Sequence, residues 1–416
     1  MTPILFTNVF IFDGSGAAPF LGEVQVSGNR ICAVTEGIQQ IDRSNSSIID
    51  GGGMTLMPGM VEAHAHLSWP SSVERVINTM KLPAEEHLLI TAQNARITLD
   101  HGFTSAYSAG SLGERFEVAL RDMIDGGYLP GPRLRASSLE KGFEGVLGVP
   151  AAHNKAADRE VAELRDYVRA MAKQRMDSIK FVLNDAFAPK VPVIYSEDAV
   201  QAIGREAKEV GIWLTCHAQT AGAIKQGLRA GFRTFNHCTY ADDEALDLLE
   251  AESNRVFVAP AAGLLYARAY EAEEFSIGED LAAASLADLE IFAQLIPEMK
   301  KRGIRVLPGG DYGFPYNPVG RNARDLQLFV DHFGYSPTEV LVAATASGGE
   351  LMDMTVGQIR AGFFADMLLI DGDPTVDVRI LQQKARIMIV MKDGVFHRLS
   401  SRDQHEFPKC LVSTFD

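Results

Sequence analysis

At 416 residues, 46% of them hydrophobic and 22% charged, the chain can bury a large core and does not read as a disordered or collagen-like polymer. Its 39 basic and 54 acidic side chains leave a formal net charge of −15, which argues against nucleic acid or an anionic membrane as partner and for a small molecule. Four dispersed cysteines (Cys32, Cys216, Cys238 and Cys410) exclude a disulfide framework. With no basic leader and no run approaching the roughly 18 apolar residues of a membrane span, a cytoplasmic protein is expected.

The chain opens on short apolar runs broken by turn residues. Ile4–Phe12, Gly22–Ser27, Arg30–Val34 and Ser47–Asp50 predict strands, the last ending at Gly51-Gly52-Gly53. From Thr55 to about residue 350, short apolar runs alternate with longer amphipathic ones, the mark of repeated βα units. Eight runs can be parallel strands: Leu56–His66, Ser105–Gly110, Arg133–Ser137, Ser178–Leu183, Trp213–His217, Thr234–Cys238, Val256–Pro260 and Arg305–Pro308. Helical stretches lie between most of them: Glu85–Asp100, Arg115–Ile124, Asp158–Arg175, Ser196–Val210, Ala221–Ala230, Asp243–Ala251 and Ala284–Lys301. Eight such units over roughly 300 residues fit a (β/α)8 TIM barrel, with an open doubly wound sheet as the alternative. Strand-like texture then returns in Phe364–Asp371, Ile387–Lys392 and Val395–Arg398.

His64-Ala65-His66 closes the first barrel strand. Side chains two apart on a strand share a face, whereas on a helix they diverge by about 200°, so the strand assignment lets two imidazoles share one metal. His217 ends the fifth predicted strand, His237 the sixth, and Gly309-Gly310-Asp311 follows the eighth. Each histidine alone reads equally well as a hydrogen-bonded strand-end residue. In a barrel, however, these ends converge on one mouth, where catalytic groups sit. Lys180, inside the apolar run Ser178–Leu183, must be paired, neutralised or modified. Either it is a salt-bridged structural lysine, or its neutral amine adds carbon dioxide and becomes an anionic, two-oxygen carbamate able to bridge two metals.

The ordered set Pro58-Gly59, His64-Ala65-His66, Lys180, His217, His237 and Asp311, followed by the stretch from Gly357 to Met367 and Asp371-Gly372-Asp373-Pro374, resembles the amidohydrolase superfamily. The resemblance is to its imidazolonepropionase-like branch, which includes aryl-amide, N-acyl-amino-acid and ochratoxin-type hydrolases. It implies a catalytic barrel over residues 57–356 and a small β-sandwich assembled from residues 1–56 and 357–416. It also implies a binuclear centre of two divalent ions, zinc for preference, with His64 and His66 on one, His217 and His237 on the other, and carboxylated Lys180 bridging. Asp311 would be both a ligand and the general acid/base for a metal-activated hydroxide that cleaves a small-molecule amide. An N-acyl or N-aroyl amino acid or an aryl amide is the expected substrate; urea or carbamate cleavage, lactone hydrolysis and decarboxylation use the same scaffold. The resemblance is compatible with a homo-oligomer.

Two positions depart from the branch. Gln219 stands where a second histidine is usual, and Gly309-Gly310-Asp311 replaces the more frequent Gly-Thr-Asp. Candidate substrate contacts are His153, Tyr240, Gln219 and Tyr107. Leu264-Leu265-Tyr266 and Phe314-Pro315-Tyr316 read as apolar loop stretches that could line a pocket. No arginine or lysine is identifiable by spacing as a carboxylate clamp, Arg321 and Arg324 being the only suggestions. A phosphate-loop reading of the glycine runs fails, because neither has the spacing or the strand-to-helix context.

Overall fold

The computed structural model describes residues 2–142, 157–185, 193–271 and 273–399. Its strands, in chain order, are β1 (Ile4–Ile11), β2 (Phe20–Ser27), β3 (Arg30–Glu36), β4 (Ser47–Asp50), β5 (Thr55–Pro58), β6 (Met60–Ala65), β7 (Phe103–Ser108) and β8 (Arg133–Arg135). These are followed by β9 (Ser178–Val182), β10 (Trp213–Thr220), β11 (Thr234–Tyr240), β12 (Phe257–Ala259), β13 (Met367–Ile370), β14 (Ile387–Lys392) and β15 (Val395–Leu399). The helices are α1 (Ala84–Asp100), α2 (Phe116–Asp125), α3 (Ala157–Lys173), α4 (Glu197–Val210), α5 (Ala221–Arg229) and α6 (Asp243–Ala251). Then come α7 (Ala262–Tyr270), α8 (Glu279–Lys301), α9 (Arg324–His332), α10 (Pro337–Val342) and α11 (Gly348–Met352). None of the helices among the described residues is long and apolar enough to cross a membrane.

Both ends of the chain enter one hydrogen-bonded sheet, ordered β15-β14-β13-β5-β1-β2-β3 with β4 beside β1. Alternation assigns its faces: Met367 and Leu369 join Ile4, Phe6, Val24 and Phe396 in a local core, while Leu368, Ile370 and Val390 enter the core of the parallel layer. Phe6 of β1 and Phe396 of β15 stand 6.4 Å apart, although three strands separate theirs in the sheet. Neighbouring strands are spaced about 4.8 Å, so the sheet curls over its core.

The parallel strands run in sequence order, β6-β7-β8 and β9-β10-β11-β12, joined by a bridge from Ser137 to Ser178. The eighth predicted strand reduces to one bridge, Val258 to Val306. Helix starts are well signposted where a side chain caps them: Ser196, Thr220 and Asp242 accept from backbone N–H groups at the starts of α4, α5 and α6. By contrast α7 starts without a side-chain cap at Ala261, whose φ is +65°. Leu264, Leu265 and Tyr266, read from sequence as a loop, therefore lie in a helix. At its far end the parallel layer is closed by α11, whose C-terminal carbonyls accept from Arg135 and Arg233, an arrangement the helix dipole favours.

The single strand expected over Leu56–His66 divides at Gly59. Gly59 N–H donates to Asp366 of the terminal sheet, and the next residue, Met60, donates to Gly102 at the start of β7. A Cβ at Gly59 would fall 2.0 Å from Thr104 Oγ1 and 2.7 Å from Thr104 Cβ, both on a core strand. Gly59→Ala is therefore expected to destabilise the protein by about 1–3 kcal/mol through overpacking, measured as a lowered urea midpoint at unchanged m-value.

Candidate metal centre

β6, β10 and β11 carry the four histidines to one cluster. The register of β6 against β7 slips between Glu62 and Ala65, an irregularity of the kind that re-aims side chains. Ring centroids lie 5.2 Å apart for His64 and His66, 5.3 Å for His64 and His237, and 4.2 Å for His217 and His237. Asp311 reaches in from the loop after residue 306, its Oδ1 3.2 Å from His66 Nε2 and 3.9 Å from His64 Nε2. Ligating atoms of His64, His66 and Asp311 all lie within 4.8 Å of one another, so the three could hold a metal ion. Lys180 is buried in the same centre, where its Nζ donates to Asn236 Oδ1 at 2.6 Å.

The chemistry of this donor set suits a cation. His66 Nδ1 donates to the Gly110 carbonyl at 3.0 Å, which leaves Nε2 with its lone pair facing a carboxylate oxygen. Two acceptors 3.2 Å apart require a cation or a shared proton between them. Burial, the leading cause, holds all four imidazoles below their usual pKa, His217 down to about 3, and so in the neutral form that ligates metals. The Lys180 charge acts in the same direction on all four. Burial lifts Asp311 to about 6, partly offset by Lys180 and Arg268, and lowers Lys180 against the opposing pull of Glu140 and Asp311.

Three residues of the cluster have left-handed backbone. His237, Cys238 and Asp311 have φ values of +77°, +59° and +58°, each costing on the order of 1–3 kcal/mol and tolerated only where neighbours enforce it. Around Asp311 the enforcement is visible. Asn317 Nδ2 donates to the carbonyls of Gly310 and Asp311 at 2.7 and 3.1 Å, and Arg324 holds Asn317 at 2.7 Å. Tyr312 donates to buried Asp325 at 2.6 Å. Arg321 and Arg324, suggested from sequence as clamps, are instead ion-paired to Glu271 at 2.7 and 2.8 Å.

Of the candidate contacts, Gln219 is tied to the cluster: it hydrogen-bonds His217, and its backbone N–H donates to Asn184. Tyr240 ends β11 but donates its hydroxyl to Asp288 of α8 at 2.7 Å. Tyr107 does not join them. It is fully buried among the strands, one residue before the end of β7, bonded to Thr215 and stacked on Trp213 at the start of β10. His153 lies outside the described residues.

Three neighbours were missed in the sequence. Glu140 has an Oε1 3.6 Å from His66 Nδ1, and burial raises it to about 7. Trp69 packs on the His66 ring at 4.0 Å, and Asn236 anchors Lys180. Glu140 follows the third predicted strand, so an acid at a strand end was the available signal; Asn236, one residue before a histidine ligand candidate, gave none.

The chain belongs to the amidohydrolase family, whose model matches residues 55–396. It is 24% identical over 379 residues to ochratoxinase from Aspergillus niger, covering 82% of this chain and 75% of that one. To imidazolonepropionase from Treponema denticola it is 23% identical over 402 residues, covering 86% and 87%. The fold superposes on a crystal structure of a Xaa-Pro dipeptidase with bound methionine with a TM-score of 0.81 at 23% identity, covering 95% of this chain and 100% of that one. The protein is thus a hydrolase acting on C–N bonds.

Proposed function

We propose that this protein is a binuclear metal-dependent amidohydrolase that cleaves the amide bond of a small N-acyl or N-aroyl amino acid or aryl amide. The observation carrying this reading is the gathering of four neutral imidazoles, a strained Asp311 and a buried Lys180 in one cluster. The parallel strands are taken to close as a (β/α)8 barrel, which the packing of Gly309 on His64 supports, with the curled terminal sheet as the composite β-domain. The free thiols of Cys32, Cys216 and Cys238 agree with a cytoplasmic setting.

His64, His66 and Asp311 would hold one divalent ion and His217 and His237 the other, with a Lys180 carbamate between them; imidazole with carboxylate-type oxygen suits zinc. When bound, such ions make water acidic enough to attack at neutral pH and polarise the scissile carbonyl. Asp311 takes the attacking water's proton and delivers it to the leaving nitrogen, so a single carboxyl serves as base and then acid. Gly110 and Trp69 keep the His66 ring in place while this happens. Gln219 does the same for His217.

The test is metal analysis followed by a hydrolysis screen of N-acyl and N-aroyl amino acids, anilides, phenylureas and lactones. About one to two divalent ions per chain and turnover of the amides are expected. Full activity in chelator-stripped protein would overturn the mechanism, and turnover confined to phenylureas or lactones would overturn the substrate class.

A further inference from the structure

Arg268 is the unusual cation of this region. It sits near the C-terminal end of α7, the helix that follows β12, and is half-buried. Its Nε and one terminal nitrogen both donate to the hydroxyl of Tyr316, at 3.2 and 3.1 Å, and among the described residues it has no carboxylate within ion-pairing distance. The nearby arginines differ: Arg321 and Arg324 share Glu271. The acids within electrostatic reach of Arg268 are engaged elsewhere, Asp311 on His66 and Asp288 on the Tyr240 hydroxyl.

Its surroundings are shaped. Tyr316 belongs to the loop that begins at Asp311 and is closed by hydrogen bonds between Gly313 and Asn317 and between Asn317 and Phe314. Phe314 and Tyr316 stack at 5.4 Å and 11°, with the guanidinium 5.9 and 5.6 Å from their ring centres; Phe275 meets Tyr316 edge-on at 6.5 Å. A guanidinium taken partly out of water is stable when its planar fork meets an anion, which it grips best in pairs of parallel hydrogen bonds. Here two donors are spent on one neutral hydroxyl, and the other terminal nitrogen has no protein acceptor among the described residues.

We propose that Arg268, oriented by Tyr316, binds a carboxylate on the substrate, with the Phe275, Phe314 and Tyr316 rings receiving an apolar or aryl group beside it. Within the N-acyl or N-aroyl amino acids and aryl amides proposed above, the substrate then narrows to acylated α-amino acids with a hydrophobic side chain. This rests on the amide-hydrolase reading above. Arg268 is a specificity determinant rather than a participant in bond cleavage.

Two kinds of measurement separate this inference from that reading. In calorimetric titration of metal-replete protein, 3-phenylpropanoate should bind more tightly than 3-phenylpropan-1-ol, and Arg268→Met should weaken the acid by about tenfold or more while leaving the alcohol within about twofold. Arg268→Lys should keep part of the preference, and Tyr316→Phe should lose part of it by loosening the guanidinium. In kinetics, Arg268→Met should raise KM for an N-acyl-phenylalanine with little change in kcat, and leave the matching N-acyl-2-phenylethylamine unaffected. The inference is overturned if wild-type protein has no preference for the acid, if the preference survives in Arg268→Met, or if both probes weaken together. Should Arg268→Met not fold, Arg268→Lys and Tyr316→Phe decide on the same criteria. Arg268-dependent acid binding without hydrolysis of either amide would sink the amide-hydrolase reading and leave the anion site standing.

Discussion

Asp311→Asn is expected to keep its metal and lose between about a hundredfold and ten-thousandfold in kcat, the range that a well-placed general acid/base supplies. The carboxyl sits 3.2 Å from His66 Nε2 on a backbone held at a φ of +58° by Asn317 and Arg324. An amide of the same shape keeps those supports, and its carbonyl oxygen remains a ligand. What it cannot do is accept the proton of the attacking water and release it again to the leaving nitrogen. Metal content by elemental analysis, far-ultraviolet circular dichroism and single-turnover rates on the same preparations separate these effects. A variant that loses its metal in step with its activity would make Asp311 a ligand only, and one with near wild-type kcat would move the proton transfer to another group.

Glu140 is the alternative carboxyl to watch in that experiment, because it also borders His66. It was passed over in the sequence for a physical reason. Histidine at a strand end is rare enough to draw attention, whereas an acid at a strand end usually faces solvent, and Glu140 becomes notable only once the fold has buried it beside His66. The same distinction separates the legible from the illegible elsewhere. His64, His66, His217 and His237 could be assembled from linear sequence because strand alternation and the expectation of successive parallel strands place them at neighbouring strand ends. Tyr107 lies three residues before the end of its predicted strand and one before the end of β7, and such a small offset decides between interior and rim. Arg268 could not be found at all. What marks it is that no carboxylate among the described residues pairs with it and that its donors go to Tyr316, 48 residues away in the chain, and no local pattern reports either. In the fold, Asp243–Ala251 was readable to the residue because Asp242 caps it, whereas α7 begins at an uncapped residue with positive φ.

Lys180→Ala is expected to lose most of its bound metal along with its hydrolytic activity. Lys180 is almost fully buried, and among the described residues its Nζ donates to Asn236 Oδ1, a neutral acceptor. An ammonium there costs desolvation, which is why its pKa falls despite the acids around it. Conversion to a carbamate would replace the cation amid four imidazoles with an anion, whose own desolvation cost bound cations would offset. One consequence follows for wild-type protein and one for the variant. Metal reconstitution should be incomplete in buffer stripped of carbon dioxide and restored by bicarbonate, and Lys180→Ala should respond to bicarbonate not at all. A plain salt-bridged lysine predicts the reverse pattern: no bicarbonate effect in wild type, and an alanine variant that retains metal at His64, His66 and Asp311 because a repelling charge has been removed from beside them. Elemental analysis of both proteins, with and without bicarbonate, distinguishes the two, and full metal with full activity in Lys180→Ala would replace the bridged pair with a mononuclear site on those three residues.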